Sequence, residues 1–323
     1  LAQTIPGVFL AISLLFCLFY VLPGDPVDTL TGANQRSVPE VVQEKVTEKY
    51  GFDKPVTEQF TAYWGRVLQG DLGDSISDDR PVIDRVKQFA PNSIRLAFWA
   101  ILLEIVIGIG VGIISAVKRY SFIDTLTTLT TTVAMAIPVF VTGYVLIYVF
   151  SIRAYQNGWP DWITFAPGGT PTEWKFFVFP GSEDAFRKLV LPAVALAFVQ
   201  IAVVARMTRA TMLETINADF IRTARAKGLS ERRVLFRHGL RNALIPVVTL
   251  IGLDFGSMMG SAVLTETVFG YNGMGRQIVR SAQAYDVPVV LGLTMVVVLA
   301  YLAISLLVDL SYGVLDPRIR YGD

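Results

Sequence analysis

The sequence predicts an all-α protein that crosses a membrane several times, and three observations support this fold class. The chain of 323 residues is 53% hydrophobic and only 17% charged, which is typical of polytopic membrane proteins. It contains six apolar stretches near the length, roughly 20 residues, that a helix needs to cross the hydrocarbon core. Its Lys and Arg residues collect in alternate loops, and this asymmetry predicts an orientation.

Six transmembrane helices are predicted from the apolar stretches. The first is expected to be a span and not a signal peptide, because it lacks a small-residue cleavage site and five more spans follow it. The abrupt start at Leu1, inside this stretch, suggests that a short basic leader precedes the sequence. The predicted spans cover residues 1–22, 93–117, 123–151, 189–209, 243–264 and 287–312.

The basic residues of the short loops predict that both termini are cytoplasmic. Lys118 and Arg119 join spans two and three, nine basic residues join spans four and five, and Arg318 and Arg320 lie in the tail. All of these loops fall on one side. Residues 23–91 fall on the opposite side, with twelve acidic against eight basic residues.

Four parts follow from this topology. The external segment is expected to contain short helices and turns, including a helix that ends at Gly51. The predicted parts are the first transmembrane helix at 1–22, the extracytoplasmic segment at 23–91, a five-helix core at 92–312 with a basic cytoplasmic loop at 210–242, and a cytoplasmic tail at 313–323.

The basic loop has more charge than orientation requires. Residues 222–242, RTARAKGLSERRVLFRHGLRN, contain seven basic residues and one acidic residue. Asp219 is expected to cap a short helix, Gly228 to end it in the left-handed conformation, and Ser230 to start a second helix. Two short helices along the membrane surface would form a rigid platform, and we expect a partner to dock there.

Two acids lie near the middle of predicted spans. Glu104 and Asp254 should point into the protein, because an ionisable group facing lipid costs several kcal/mol. They either line a solute path or bond to hydroxyl and backbone groups of the bundle. Thr131, in a Thr-rich part of span three, and Pro138, which should kink that span, are further candidates for the path. The Thr hydroxyls could equally bond to their own helix.

Glycines at four-residue spacing predict close helix packing. Gly252, Gly256 and Gly260 lie on one face of span five, and Gly108 and Gly112 lie on one face of span two. This packing could occur within the chain or at a subunit interface.

Enzyme motifs and metal sites are not predicted. Cys17 and His238 are the only residues of their types, so neither a disulfide, a Cys-based metal site nor a triad is expected. The sequence lacks the phosphate-binding loop GxxxxGK[ST] as well as the HExxH, GxSxG and dinucleotide fingerprints. Uphill transport would therefore need energy from an ion gradient or from another subunit.

Several motifs together resemble the inner-membrane permease subunits of ATP-binding-cassette (ABC) importers for dipeptides and oligopeptides, a family that also includes nickel importers. The resemblance extends along essentially the whole chain. The motifs are LPGDP at 22–26, YGFDKP at 50–55, GDLGDS at 70–75, FIRTARAKGL at 220–229, RHGLRNALIPVVT at 237–249, TETVFGYNGMG at 265–275 and LDPRIRYG at 315–322.

The resemblance implies the type I ABC importer permease fold with a small external cap, in the cytoplasmic membrane. It implies a second homologous permease, two ATP-binding subunits that bind ATP and Mg²⁺, and an extracytoplasmic substrate-binding protein as partners. No cofactor in this chain and no nucleic-acid partner are implied. The coupling helix, which sits in a groove of an ATP-binding subunit, corresponds to Asp219, Phe220, Arg222, Thr223, Ala224, Arg225, Ala226, Lys227 and Gly228.

The coupling loop departs from the general importer signature, which has Glu-Ala-Ala six residues before its Gly. Arg222, Thr223 and Ala224 occupy those positions, as in the peptide-permease branch, so no contact of the Glu is carried over. Importers of nickel complexes or other small solutes, an ion-coupled carrier and an intramembrane enzyme are alternatives. The carrier would require inverted repeats, and the enzyme would require catalytic or metal-binding groups inside the membrane.

Overall fold

The computed structural model describes residues 4–21, 27 and 39–315, and these are predominantly helical. Short π-helical turns occupy Cys17–Val21, Glu104–Gly108, Tyr148–Arg153 and Val234–Gly239. The α-helices are α1 Thr4–Phe16, α2 Glu40–Tyr50, α3 Val56–Leu68, α4 Val82–Leu103, α5 Ile109–Val117, α6 Phe122–Ala136, α7 Val139–Ile147, α8 Ala154–Gln156, α9 Glu183–Ile216, α10 Asp219–Ala226, α11 Glu231–Arg233, α12 Leu240–Val268, α13 Met274–Gln283 and α14 Val287–Leu315.

Two further short elements lie between α8 and α9. A 3-10 turn covers Asp161–Ile163. Strands β1, Trp174–Lys175, and β2, Phe179–Pro180, form an antiparallel hairpin in which Trp174 lies opposite Pro180. The predicted motif residues 22–26 lie outside the described residues, as do Arg318 and Arg320.

Five helices in the described part of the chain are long and apolar enough to cross a membrane. They confirm a polytopic helical protein. The apolar helix that corresponds to the first predicted span, Ile5–Val21, is shorter. The five helices are Val82–Val117, Val139–Gln156, Glu183–Ile216, Glu231–Val268 and Val287–Val308.

Several helices are longer than the predicted spans. The helix that contains span two begins at Val82, eleven residues before the predicted start of that span at residue 93. The predicted end of the external segment at residue 91 stays a prediction, because a helix can begin outside the membrane. The 36 residues of Val82–Val117 extend about 54 Å at 1.5 Å per residue, whereas the hydrocarbon core is about 30 Å thick. Hydropathy locates only the apolar part of such a helix. Pro91 lies inside this helix and does not end it.

The third predicted span, residues 123–151, is not one kinked helix. Helix α6 ends at Ala136, Ile137 is extended with ψ 123°, and Pro138 is the N-cap of α7. A residue that precedes proline disfavours the α conformation, because the proline ring collides with its backbone. The proline therefore separates two helices, and only Val139–Gln156 of this region has the length of a span.

One compact unit consists of Leu1–Ser93 and Asn272–Leu306. In its core, aromatic side chains from α1 and its π-helical turn pack against helices α2 and α3 and the first turns of α14. Helix α2 ends, as predicted, at Gly51, whose φ is +69°. The buried core residues are Ile12, Leu15, Phe16, Tyr20, Val46, Tyr50, Tyr63, Leu291 and Met295.

The other compact unit consists of Ile94–Tyr271 and Leu307–Asp323. Its central element is α9, which packs against α5, α6, α7 and α12. Gly108 and Gly112 allow the close approach to α9. A Cβ atom at Gly112 would lie 2.5 Å from the Cβ of Thr208, and one at Gly108 would lie 2.8 Å from a methyl group of Val204.

Candidate functional site

Two residues separate helix α10, Asp219–Ala226, from the end of the long helix α9. Ala218 is its N-cap, and no side-chain hydrogen bond caps it. The prediction that Asp219 caps this helix is therefore wrong, since Asp219 is its first residue. An acidic residue there still interacts favourably with the helix dipole. Within the helix, the Thr223 hydroxyl donates to the Asp219 carbonyl at 3.0 Å.

Gly228 ends α10 as predicted, with φ at +76°. The Gly228 amide donates to the Arg225 carbonyl, and the Leu229 amide donates to the Ala224 carbonyl, at 2.9 and 3.4 Å. These two bonds form the Schellman motif, which satisfies carbonyls at the helix end and requires a left-handed residue. Ser230 then starts the short helix α11, also as predicted.

One face of α10 is anchored on its own chain. Ile221 and Ala224 are buried and pack with Val234 of the following π-helical turn, and Leu229 covers this cluster. Phe220 lies outside it and remains 45% exposed. The helix therefore has one fixed face, while a large aromatic side chain is left in contact with the surroundings.

The basic residues of this loop form an exposed positive surface. Arg225 nevertheless has a partner in the chain, because its guanidinium donates to the Glu231 carboxylate at 2.8 Å. Arg222 contacts Asp219 at 3.4 Å, and both of these side chains are largely exposed. All seven basic residues are exposed, namely Arg222, Arg225, Lys227, Arg232, Arg233, Arg237 and Arg241.

A charged cluster fixes α9 near the end that leads to α10. The Arg209 guanidinium donates two hydrogen bonds to Asp124, at 2.6 and 2.8 Å. The Ser115 hydroxyl and the Tyr120 amide also donate to this carboxylate, at 2.6 and 3.0 Å. Because the side chain of Asp124 is only 6% exposed, this bidentate pair holds α6 to α9 more firmly than an ion pair in water would.

Glu104 and Asp254 point into the protein, as predicted. Glu104 is completely buried, and Asp254 is 9% exposed. Asp254 lies beside Glu104 and Gln200, within range of direct interaction. In the described part of the chain, both carboxylate oxygens of Glu104 and the Oδ2 atom of Asp254 lack a well-formed hydrogen bond. The interpretation in which Ser, Thr or backbone groups satisfy these acids does not account for those three oxygens.

The other candidates for the path have local explanations. The Thr131 hydroxyl donates to the carbonyl of Thr128 at 3.1 Å, on its own helix, and Thr131 is buried. Pro138 lies at the break between α6 and α7 and is the N-cap of α7. Their contact with a solute stays a prediction.

The three glycines of span five have different surroundings. A Cβ atom at Gly252 would lie 2.8 Å from the side chain of Val308, so α12 approaches α14 closely there. Gly256 is buried. Gly260 is exposed, and within the described residues nothing lies within 4 Å of its missing Cβ. The first two serve packing inside the chain, and the third leaves an open position on the helix surface.

A family model described as the inner membrane component of binding-protein-dependent transport systems matches residues 108–321. The chain belongs to this family. The matched part contains α10, its Schellman turn and the Asp124–Arg209 pair, whereas Glu104 lies four residues before it.

Relatives of this inner membrane component are similar over nearly its whole length. A probable D,D-dipeptide transport system permease protein of Escherichia coli K12 is 38% identical over 95% of this chain and 92% of its own length. A dipeptide transport system permease protein of Haemophilus influenzae is 39% identical, with coverage of 97% and 96%. An oligopeptide transport system permease protein of Bacillus subtilis is 36% identical, with coverage of 99% and 98%. These relatives confirm the family resemblance inferred from the motifs.

One buried polar site of this inner membrane component has no signal in the local sequence. Ser75 donates a short hydrogen bond to the Asp286 carboxylate, and the Ile76 amide donates to the same group at 3.1 Å. Asp286 is 2% exposed and directly precedes α14. Ser75 lies in the GDLGDS motif, but 211 residues separate it from Asp286, and no local pattern connects them.

Proposed function

We propose that this chain is the permease subunit of an ATP-driven importer of dipeptides and oligopeptides in the cytoplasmic membrane. The relatives named for D,D-dipeptide, dipeptide and oligopeptide transport support this substrate class. The chain has six transmembrane helices in the type I ABC importer permease fold, with both termini cytoplasmic. Residues 23–91 form a small external cap.

The chain works with three other kinds of subunit. A second homologous permease forms the other half of the pathway, and an extracytoplasmic binding protein delivers the peptide to the external loops. Two ATP-binding subunits bind ATP and Mg²⁺, and their closing and separation drive the alternation of the pathway. This chain holds no cofactor of its own.

The rigid geometry of α10 is the observation that carries this proposal. Its buried face, with Ile221 and Ala224, fixes it to the start of the continuous helix Glu231–Val268. At its other end only Asn217 and Ala218 separate it from α9, which Arg209 fixes to α6. A force applied to α10 is therefore transmitted to two long helices, through a two-residue link to α9 and through the buried cluster and the Schellman turn to Glu231–Val268.

The exposed face of α10 supplies the contact with the motor. Phe220 offers an apolar anchor, and exposed aromatic residues often dominate the energy of an interface. The surrounding basic residues complement an acidic groove on an ATP-binding subunit and raise the rate of association. Arg225 acts inside the chain through Glu231, so its contribution to docking is chiefly to hold the shape of the loop.

Recovery of the ATP-binding subunits with the tagged chain tests this role. Phe220→Asp should reduce their recovery at least tenfold, because a charge replaces an apolar anchor on a surface without disturbing the buried cluster. Phe176→Asp is the matched control, since Phe176 is a 92% exposed aromatic residue in the β1–β2 hairpin on the predicted external side. Undiminished recovery with Phe220→Asp, or equal loss in both variants, contradicts the assignment of α10 as the coupling helix.

A further inference from the structure

Glu104 occupies the π-helical turn, Glu104–Gly108, in the middle of the long helix Val82–Val117. Such turns inside α-helices are frequent at functional sites, because the extra residue redirects side chains and disturbs the hydrogen-bond ladder. Here the turn places the completely buried side chain of Glu104 beside Asp254, which lies near the middle of α12. Two carboxyl groups from different helices therefore meet in the interior of one compact unit.

Within the described residues, no basic side chain interacts with either acid. Around these two groups in the described part of the chain, the interacting side chains are the acids themselves and the uncharged amide of Gln200. The nearest basic residues along α9 are engaged elsewhere, since Arg206 donates to the Thr132 hydroxyl and Arg209 donates to Asp124. The Ser257 hydroxyl donates to the backbone carbonyl of Asp254, not to its carboxylate.

Two adjacent carboxylates cannot both remain charged in such surroundings. Burial removes the water that stabilises each charge, and the repulsion between like charges is strong where the effective dielectric constant is low. Adjacent carboxyl groups in proteins resolve this conflict by sharing a proton, so that one acid donates a hydrogen bond to the other. A proton also gives a bonding partner to oxygens that accept no hydrogen bond from the described residues.

We propose that Glu104 and Asp254 form a proton-binding site inside the bundle, which holds a proton between the two carboxyl groups and thereby links the helix Val82–Val117 to α12. The bound ligand is a proton taken from water, and no other reactant is needed. This inference goes beyond the transport role and does not depend on it, because it concerns only groups inside this chain.

Infrared spectroscopy of the purified protein at neutral pH tests the site directly. A protonated carboxylic acid has a C=O stretching band that is separate from the carboxylate bands and shifts in D₂O. Wild type should have such a band, and Glu104→Gln and Asp254→Asn should each remove or displace it. Asp184→Asn should leave it unchanged, because Asp184 is exposed and paired with Lys188.

The result that would overturn the proposal is the absence of a protonated carboxyl band at neutral pH, or a band that neither variant alters. If one variant does not fold, the infrared band of the other variant still tests the proposal. Wild-type protein labelled with ¹³C in its Glu or its Asp carboxyl groups provides a measurement without any variant. Shared protonation predicts that each label shifts the band, and a band that responds to neither label contradicts it.

The stability of the variants gives an independent check. The amide of Gln has the shape of a protonated Glu and cannot be charged, so Glu104→Gln should retain the fold with a melting temperature equal to or above that of wild type at neutral pH. Glu104→Lys introduces a buried cation next to Asp254 and serves as the contrasting variant. A strongly lowered melting temperature in Glu104→Gln, together with a tolerated Glu104→Lys, would show that Asp254 is ionised and pairs with a cation, and would refute the sharing of a proton.

Discussion

Replacing Gly228 with valine tests the link between the turn after α10 and transport. Gly228 has φ at +76°, and nothing lies within 4 Å of the position of a Cβ atom. The substitution therefore costs backbone strain and causes no collision. An L-residue in the left-handed conformation costs roughly 1–2 kcal/mol. A cost of this size lowers the equilibrium constant for the ordered turn about 5- to 30-fold.

The expected phenotype is uncoupling. In proteoliposomes that contain the complete transporter and the binding protein, peptide uptake should fall by about the same 5- to 30-fold, while ATP hydrolysis continues. Membrane insertion should be unchanged, since Gly228 is exposed and lies outside the transmembrane helices. Asn tolerates the left-handed conformation better than valine, so Gly228→Asn should recover much of the uptake.

The control is Gly158→Val. Gly158 has φ at +62° and equally open surroundings, so the backbone strain is similar, but the residue lies in a loop far along the chain from α10. Peptide uptake per ATP hydrolysed by the Gly158→Val transporter should remain near that of wild type. Unchanged uptake in Gly228→Val, or an equal loss in Gly158→Val, would refute the reasoning that this turn transmits motion.

Three further predictions concern stability. Asp124→Asn should lower the free energy of unfolding by roughly 3 kcal/mol in a thermal assay, because the 28% exposed guanidinium of Arg209 loses the negative charge of its buried partner. Asp84→Asn should change the free energy of unfolding by less than about 1 kcal/mol, because Asp84 belongs to an exposed ion pair. Gly112→Ala should cost about 1–3 kcal/mol, since its Cβ would lie 2.7 Å from the Ala205 carbonyl oxygen, whereas Gly110→Ala has open space and should be neutral or stabilising. Burial raises the pKa of Tyr63 to about 12, so the stability that its neutral form contributes should be fully present below pH 10 and be lost as pH rises towards 12. The tyrosinate absorbance that wild type gains and that Tyr63→Phe lacks measures this titration.

Much of the helical architecture is predictable from local sequence. Hydropathy locates the long helices, and glycine chemistry locates the ends of α2 at Gly51 and α10 at Gly228. The inward orientation of Glu104 and Asp254 follows from the cost of a charge in lipid. These features depend on residues close together in the chain or on a single property of one residue, and they can therefore be predicted from one sequence.

Other features depend on contacts that one sequence does not reveal. The start at Val82 of the helix that contains span two is invisible to hydropathy, because the first turns of that helix are polar. The break before Pro138 depends on the residue that precedes the proline, where a kink and a complete break have the same sequence signal. The Arg225–Glu231 and Ser75–Asp286 contacts form only when the chain has folded.

Photo-crosslinking from position 220 in the assembled transporter is the most direct test of the central claim, that α10 is the contact through which an ATP-binding subunit moves this chain. A crosslinking amino acid in place of Phe220 should form an adduct with the ATP-binding subunit, and the yield should change when the subunits are trapped with and without nucleotide. The same amino acid in place of Phe176 should give no adduct with that subunit. Adducts from position 220 with lipid alone, or none with the ATP-binding subunit in the intact complex, would contradict the claim.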